Sequence, residues 1–376
     1  MIKTFAIRNY RLFNEFKLDK LSRVNLFVGK NNAGKSCLLE ALRIYVTGAS
    51  ASVLAAIVSN REEDWNDSTT PATLAEIFRL DSPFRFLFHG YHFPQDGTGA
   101  IELGVIDNGA KSIKIMPRFY QVTTDKDGRQ VYLPIDNITD NKSQSPLFDL
   151  EVGLELSEGK NSRFITSLFN VTSNRRRLAA ESVQEVQIVP PQTVENETVE
   201  KLWDNINITG LEEEVVRCLQ LIDPNVHKIA FVGGGIGLEG KKQRIPIIRY
   251  ANSEERIPLK SLGDGLTRLF HIVLSLLNAR HGYLLIDEFE NGLHWSIQPA
   301  LWKIIFLLAQ KWDVQVFATT HNRDCIRGFH EVWSDLKAEG TFYRLDISTG
   351  EKKTVKPVQY TAEVLADALE TSVEVR

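Results

Sequence analysis

Short apolar runs and polar, glycine-marked breaks alternate at both ends of this chain, and the middle reads differently. Residues 2–8 and 24–28 have the apolar density of β-strands, with a turn at 18–22 between them. Residues 36–46 place Leu, Ala, Ile and Val at helical spacing and begin where a polar loop ends. From about 50 to 80 the pattern is mixed and mostly helical, broken over 64–73. Residues 100–117 alternate around Asn108-Gly109, the signal of a β-hairpin, and 123–133 and 148–169 extend that pattern. Residues 194–223 read as one or two amphipathic helices. There is no internal repeat, and no heptad run of the length a long coiled coil needs.

Strand–helix alternation returns in the last third. Residues 282–289 and 314–321 are short apolar runs of the kind buried parallel strands need, with an apolar helix over 296–312 between them. Residues 341–355 read as a terminal hairpin and 361–370 as a short helix. The pattern predicts an α/β core assembled from 1–50 and 245–376. Residues 51–244 are expected as an insertion, antiparallel β followed by a helical arm.

Composition narrows the partners more than the fold. The 376 residues are 43% hydrophobic and 24% charged, the proportions of an ordinary globular chain. Lys and Arg number 44 against 48 Asp and Glu, a net charge of −4, so any surface for nucleic acid or membrane must be local. Cys37, Cys218 and Cys325 lie at no metal-ligand or redox spacing, which predicts a reducing compartment and neither disulfides nor structural zinc. The N-terminal stretch lacks the apolar core of a signal peptide, and no apolar run approaches the ~18 residues of a membrane span. A cytoplasmic location and no membrane partner are expected.

Four stretches carry chemistry. Gly29-Lys30-Asn31-Asn32-Ala33-Gly34-Lys35-Ser36 fits G-x-x-x-x-G-K-[ST] between a strand and a helix, with Cys37 next in the loop. Backbone N–H groups of such a loop wrap a β-phosphate and the helix N-terminus adds partial positive charge. Lys35 would reach the β/γ-phosphates and the Ser36 hydroxyl would meet Mg²⁺. Asp287-Glu288 follow four apolar residues, which places two carboxylates at the C-terminal end of a buried strand, where α/β sheets bind ligands. Asp287 suits the metal side, and Glu288 suits a base that polarises water. Ser261, Gly263 and Gly265 crowd the start of an apolar helix, a second anion-binding terminus that would approach a γ-phosphate from the other side. Asp264 would repel a phosphate there unless its side chain points away. His321 stands just past a strand near the same sheet edge.

In this order the four elements resemble the head of ABC-type ATPases. Ser261–Gly265, Glu290–His294 directly after Asp287-Glu288-Phe289, and the N-terminal Ile7–Phe13 are similar to the OLD/RecF-like branch, to which SMC-type heads are related. The resemblance covers 1–50 and about 245–370. It implies a P-loop ABC-type head that uses ATP and Mg²⁺, with Gly29 to Cys37 on the nucleotide and Ser36 and Asp287 on the metal. It makes Lys35, Glu288 and His321 catalytic, His321 sensing the γ-phosphate. Ser261, Gly263 and Gly265 would complete the site of a second subunit, Asn291–His294 would face the dimer partner, and Tyr10 and Arg11 would lie near the nucleotide. The chain departs from the family in lacking the LSGGQ signature of transporters. No glutamine loop stands out, Gln121 and Gln144 being candidates by position only. OLD proteins carry a TOPRIM nuclease domain. This chain ends at Arg376 with no acidic cluster after 330, which points to an effector on a separate chain.

The leading expectation is an ATP-dependent homodimer or higher oligomer that switches a separate nuclease or toxin effector, in anti-phage defence. The alternative is a RecF-like DNA-repair ATPase that binds DNA through Arg175–Arg177 or through Lys241, Lys242 and Arg244. A P-loop phosphotransferase stands further off, because paired acids and a signature loop suit water activation. The guanine-selecting N-K-x-D motif is absent, Asn141–Gln144 lacking its Asp.

Overall fold

The computed structural model describes residues 1–63, 83–94, 99–105, 112–126, 128, 130–135, 150–159, 161–165, 186–192, 194–236, 242–251, 253, 255–336, 339–348, 353–371 and 375. The chain begins with a hairpin of β1 (Phe5–Tyr10) and β2 (Phe13–Leu18), then β3 (Val24–Val28), α1 (Lys35–Val46) and α2 (Ala51–Ser59). Five antiparallel strands follow, β4 (Ile101–Gly104), β5 (Ser112–Thr124), β6 (Gln130–Ile135), β7 (Leu150–Glu158) and β8 (Asn161–Ile165). Next come β9 (Val186–Val189), α3 (Asn196–Thr209), α4 (Glu212–Gln220), β10 (Val226–Ile236), β11 (Lys242–Tyr250) and β12 (Ile257–Pro258). The last third holds α5 (Asp264–Asn278), β13 (Tyr283–Ile286), α6 (Gln298–Lys311), β14 (Gln315–Thr320), α7 (Arg323–Leu336), β15 (Gly340–Ile347), β16 (Val355–Tyr360) and α8 (Ala362–Glu370).

The central sheet runs β16-β15-β3-β14-β13-β9, parallel throughout except for β16. Every residue of β3, β13 and β14 is buried, which is why these strands read as continuous apolar runs. Period-two alternation divides them between two cores. Val24, Leu26 and Val28 face one way, with Leu284, Ile286, Val316 and Ala318, against α5, α6 and α7. Phe27, Leu285 and Phe317 face the other way, against α1 and the antiparallel sheet. On that second face Phe27 stacks near Phe317 and Tyr343, at 6.4 and 6.0 Å between ring centres.

The second sheet, β2-β1-β4-β5-β7-β8 with β6 on β5, lies across α1. A small third sheet, β10-β11-β12, packs through Phe231 on Trp203 of α3 and Phe270 of α5.

Three expectations need correction. The 51–244 stretch is not set apart from the core: β9 is the edge strand of the central sheet, and α3 and α4 share its larger core. Conversely, β1 and β2, expected in the core segment, are strands of the same sheet as β4 to β8. Strand β2 was also not foreseen. Tyr10 pairs with Phe13, so only Arg11-Leu12 turn the chain, with Arg11 in the left-handed region at φ 48°. That turn carries no Gly or Asn signal; ion pairs hold Arg11 instead. The 100–117 hairpin forms, β4 pairing antiparallel with β5, and its Asn108-Gly109 turn lies outside the described residues. Gly210, at φ 67°, divides 194–223 into α3 and α4. Among the described residues no helix is long and apolar enough to cross a membrane.

His271 in α5 is buried, and that burial, reinforced by Arg268 and Lys260, pulls its pKa from 6.5 down to about 4. Its folded value lies below its unfolded one, so acid protonates the unfolded chain first. Stability is therefore expected to be fully present above about pH 6.5 and to fall by ~1.4 kcal/mol per pH unit toward pH 4 from this residue alone. Denaturant titration of His271→Leu against the parent at several pH values checks this; an unchanged slope would refute it.

Candidate active site

Because β3, β13 and β14 are parallel neighbours, the segments that leave their C-terminal ends meet at one edge of the sheet. These are the P-loop, the acidic pair and the segment of His321. A cavity of about 840 Å³ opens there, lined by Asn31, Asn32, Gly34, Lys35, Ser36, Cys37, Asp287, Glu288 and His321. Residues 250 apart in sequence are thus brought together as the motif order requires.

Gly34 caps α1 at φ 91°, and a Cβ there would come within 3.0 Å of Phe13 Cζ. Any other residue would be strained and crowded. No side chain caps the first turn of α1 and no acid lies in it, so its N–H groups face the cavity as anion donors. Lys35 is buried and its Nζ donates to the carbonyls of Gly29 (2.8 Å) and Lys30 (3.1 Å). Burial lowers its pKa, while Asp287, Glu288 and Glu290 oppose that shift. Ala33 is packed in the core and does not line the cavity. Cys37 does, but burial pushes its thiol up to about 11, so it is neutral and unreactive at pH 7.

The acidic pair is held by residues that the motifs did not reveal. Thr319 Oγ1, fully buried, donates to Asp287 Oδ1 at 2.5 Å and accepts from the Glu288 N–H at 3.0 Å. Glu288 sits at φ 47°, and its Oε2 accepts from Asn291 Nδ2 at 2.7 Å. Arg268 of α5 donates to the main-chain carbonyls of Asp287 (3.0 Å) and Glu288 (3.1 Å). Glu290 is buried; its Oε1 accepts from the His321 N–H at 3.0 Å and lies 3.2 Å from His321 Nδ1 without hydrogen-bond geometry, so it holds the main chain of His321 beside the ring. The third acid of the Asp-Glu-Phe-Glu run was the available signal for Glu290. Nothing in the sequence separated Thr319 from Thr320.

Ser36 and Asp287 present hydroxyl and carboxylate oxygens to the cavity, hard donors of the type a small divalent cation takes. Among the described residues no three His, Cys, Asp or Glu side chains converge on a metal. That chemistry fits a cation held by one or two protein oxygens together with phosphate and water.

The remaining expected residues separate. Arg11 lines the cavity, bound to Glu40 at 3.0 Å and Glu63 at 2.6 Å, whereas Tyr10 is fully buried behind it, its hydroxyl donating to Glu40 at 3.2 Å and accepting from Arg11 Nε at 3.3 Å. Leu12, Phe86, Tyr91, Ile347 and Val355 also line the cavity, together with Arg61, Glu62, Glu63 and Lys353, so its wall offers apolar, aromatic and charged surface. Gln121 lies in β5, paired with Leu133 and Leu150, and does not line the cavity; Gln144 is outside the described residues. Ser261, Gly263 and Gly265 do not line it either; Ser261 and Gly263 are exposed. Arg175–Arg177 and Lys241 lie outside the described residues, and Arg244 is paired with Asp204 at 2.9 Å.

Known families and proteins are similar to parts or most of this chain. Residues 1–89 match a family model described as "AAA ATPase domain", and 219–324 one described as "AAA domain, putative AbiEii toxin, Type IV TA system". An ATP/GTP phosphatase of Helicobacter pylori is 27% identical over 88% of both chains. An uncharacterized protein of Methanocaldococcus jannaschii is 47% identical over 12% of this chain and 22% of its own. An SMC head bound to the C-winged helix domain of ScpA superposes with a TM-score of 0.50 at 10% identity, covering 96% of this chain and 98% of that one.

Proposed function

We propose that this chain, which is an ABC-type P-loop ATPase related to SMC and RecF heads and hydrolyses ATP, works as a nucleotide-closed homodimer that switches a separate effector. The observation that carries this reading is the separation of the motifs. The P-loop, Asp287, Glu288 and His321 share one cavity, and the signature residues Ser261, Gly263 and Gly265 are outside it. A second copy can supply them. Gly292, in the loop from Asn291 to His294, packs against Asp264 and Gly265 of the signature segment, and Trp295 just beyond it is 62% exposed.

In this reading the nucleotide phosphates lie on the N–H groups of the P-loop and α1, and Lys35 turns from its own loop carbonyls to the β/γ-phosphates. Mg²⁺, when bound, would be held by Ser36 and Asp287 and would supply charge neutralisation on the phosphates. Glu288 takes a proton from the attacking water, and His321, its main chain held by Glu290, meets the γ-phosphate. ATP spanning two subunits favours the closed dimer, and its loss releases it. The toxin wording in the description of the family model over 219–324 supports a place for this ATPase beside a toxin system. Arg244, already neutralised by Asp204, favours a protein partner over DNA.

Glu288→Gln with ATP is the test, followed by light scattering. The expected result is a stable dimer that retains ATP, reverting to monomer when ATP is omitted. A variant that binds ATP and stays monomeric at all concentrations would sink the sandwich.

A further inference from the structure

Arg268 belongs to none of the four motifs, yet it joins two of them. It lies one turn into α5, three residues past Gly265, and is 6% exposed. Its Nη2 reaches the carbonyls of Asp287 and Glu288, and its Nη1 donates to the carbonyl of Pro190, just beyond β9. One guanidinium thus ties the ends of two neighbouring strands of the central sheet to the helix that the signature loop begins. Burial lowers its pKa to about 10 against the pull of Asp287, Glu290 and Glu288, so it remains charged at neutral pH.

What it holds is a strained residue. Glu288 is a non-glycine at φ 47°, a left-handed conformation that persists only when its surroundings fix it. Thr319 fixes its N–H, Asn291 its carboxylate and Arg268 its carbonyl. The signature loop also rests directly on the loop after the acidic pair. A Cβ on Gly292 would stand 3.3 Å from Asp264 Cβ, and one on Gly265 would stand 3.4 Å from the Gly292 carbonyl. The two loops are in contact at Gly265 and Gly292, so a displacement of the first turn of α5 acts on Glu288 by two routes, through the packed loop and through Arg268 on the same helix.

We propose that Arg268 is a positioning residue that couples the two nucleotide sites of the dimer: a phosphate meeting the signature loop of one subunit seats Arg268, which sets that same subunit's Glu288. The coupling rests on the sandwich reading above. It makes each subunit's hydrolysis depend on the nucleotide held by its partner, a coupling between two distinct sites through one contiguous element.

A double-mutant cycle on ATP turnover tests this. Ser261→Ala removes the hydroxyl offered to the partner's phosphate, and Arg268→Met removes the relay. If Ser261→Ala lowers kcat about 10-fold and Arg268→Met about 30-fold, the double variant is expected near 30-fold rather than 300-fold. Binding of a fluorescent ATP analogue should be unchanged by Arg268→Met, and melting temperatures should combine additively. A purely structural role would leave the kcat losses multiplicative within about twofold, and that result overturns the proposal. Where Arg268→Met fails to fold, Arg268→Lys, which keeps the charge and reaches fewer carbonyls, enters the same cycle with the same criterion. The two readings fail separately: a monomeric Glu288→Gln with ATP bound sinks the dimer and the coupling together, whereas a normal dimer with a multiplicative cycle sinks the coupling alone.

Discussion

Replacing Glu288 with glutamine is expected to lower kcat for ATP hydrolysis by about 10²–10⁴-fold while KM stays within a few-fold. An amide of nearly the same volume cannot accept the proton of the attacking water, but its oxygen can still accept from Asn291 Nδ2, now 2.7 Å away. The main chain at this residue is held by Thr319 and Arg268 and does not depend on the carboxylate. The loss should therefore fall on the chemical step. The adjacent acids are placed differently: Asp287 is bonded to Thr319, and Glu290 accepts from the His321 backbone N–H and does not line the cavity. Steady-state phosphate release measures both parameters. A kcat within threefold of the parent would remove Glu288 from its role as base.

Lys35→Met should have effects of opposite sign on activity and on stability. The ammonium is buried, and its pKa is lowered chiefly by burial, so the folded protein bears a desolvation cost for it. Removing a charge-assisted contact to phosphate typically costs about 2–5 kcal/mol, which corresponds to an affinity loss of roughly 30- to several-thousand-fold. Without nucleotide, however, the methionine spares that desolvation. The contacts to the Gly29 and Lys30 carbonyls and the attraction of Asp287, Glu288 and Glu290 are lost, and the net lowering of the pKa shows that burial outweighs that attraction. The expected outcome is a melting temperature equal to or above the parent's together with loss of ATP binding and turnover, a trade typical of functional sites. Calorimetric titration with ATP and a thermal melt check it. A variant that melts lower and still binds ATP normally would reverse the assignment of Lys35.

Much of the site was legible because its residues declare themselves in short windows. The P-loop spells its conformation: Gly34 is glycine because of its left-handed φ and the Phe13 ring beside it. The acids at the end of β13 follow an apolar run that only a buried strand explains. The hairpin at β4–β5 and the split amphipathic helices were visible for the same reason, since local periodicity and local turn chemistry agree there. The supporting residues were not visible. Arg268 reads as one basic residue on an apolar helix, and its value lies in three carbonyls from two other segments. Thr319 reads as a β-branched residue in a buried strand. Its hydroxyl matters only because β13 is its parallel neighbour. Strand β2 was missed because its turn uses Arg11 in place of a glycine, an ion-paired solution that propensity does not encode.

The sequence by itself located each piece: a glycine loop of P-loop pattern, a pair of acids at a strand end, a glycine-rich helix start and a histidine after a strand. Those are local facts, set by residue type and by spacing within a few turns of chain. The tertiary structure alone decided that β3, β14 and β13 are neighbours, so that three of the pieces share one cavity, and that the fourth lies outside it. It alone drew β9 from the supposed insertion into the central sheet, where Pro190 becomes one of the points Arg268 holds. The physical reason is that strand order depends on how two apolar faces are buried at once, against α5 to α7 and against α1 with the antiparallel sheet. That is a property of the packed whole, which no window of sequence contains.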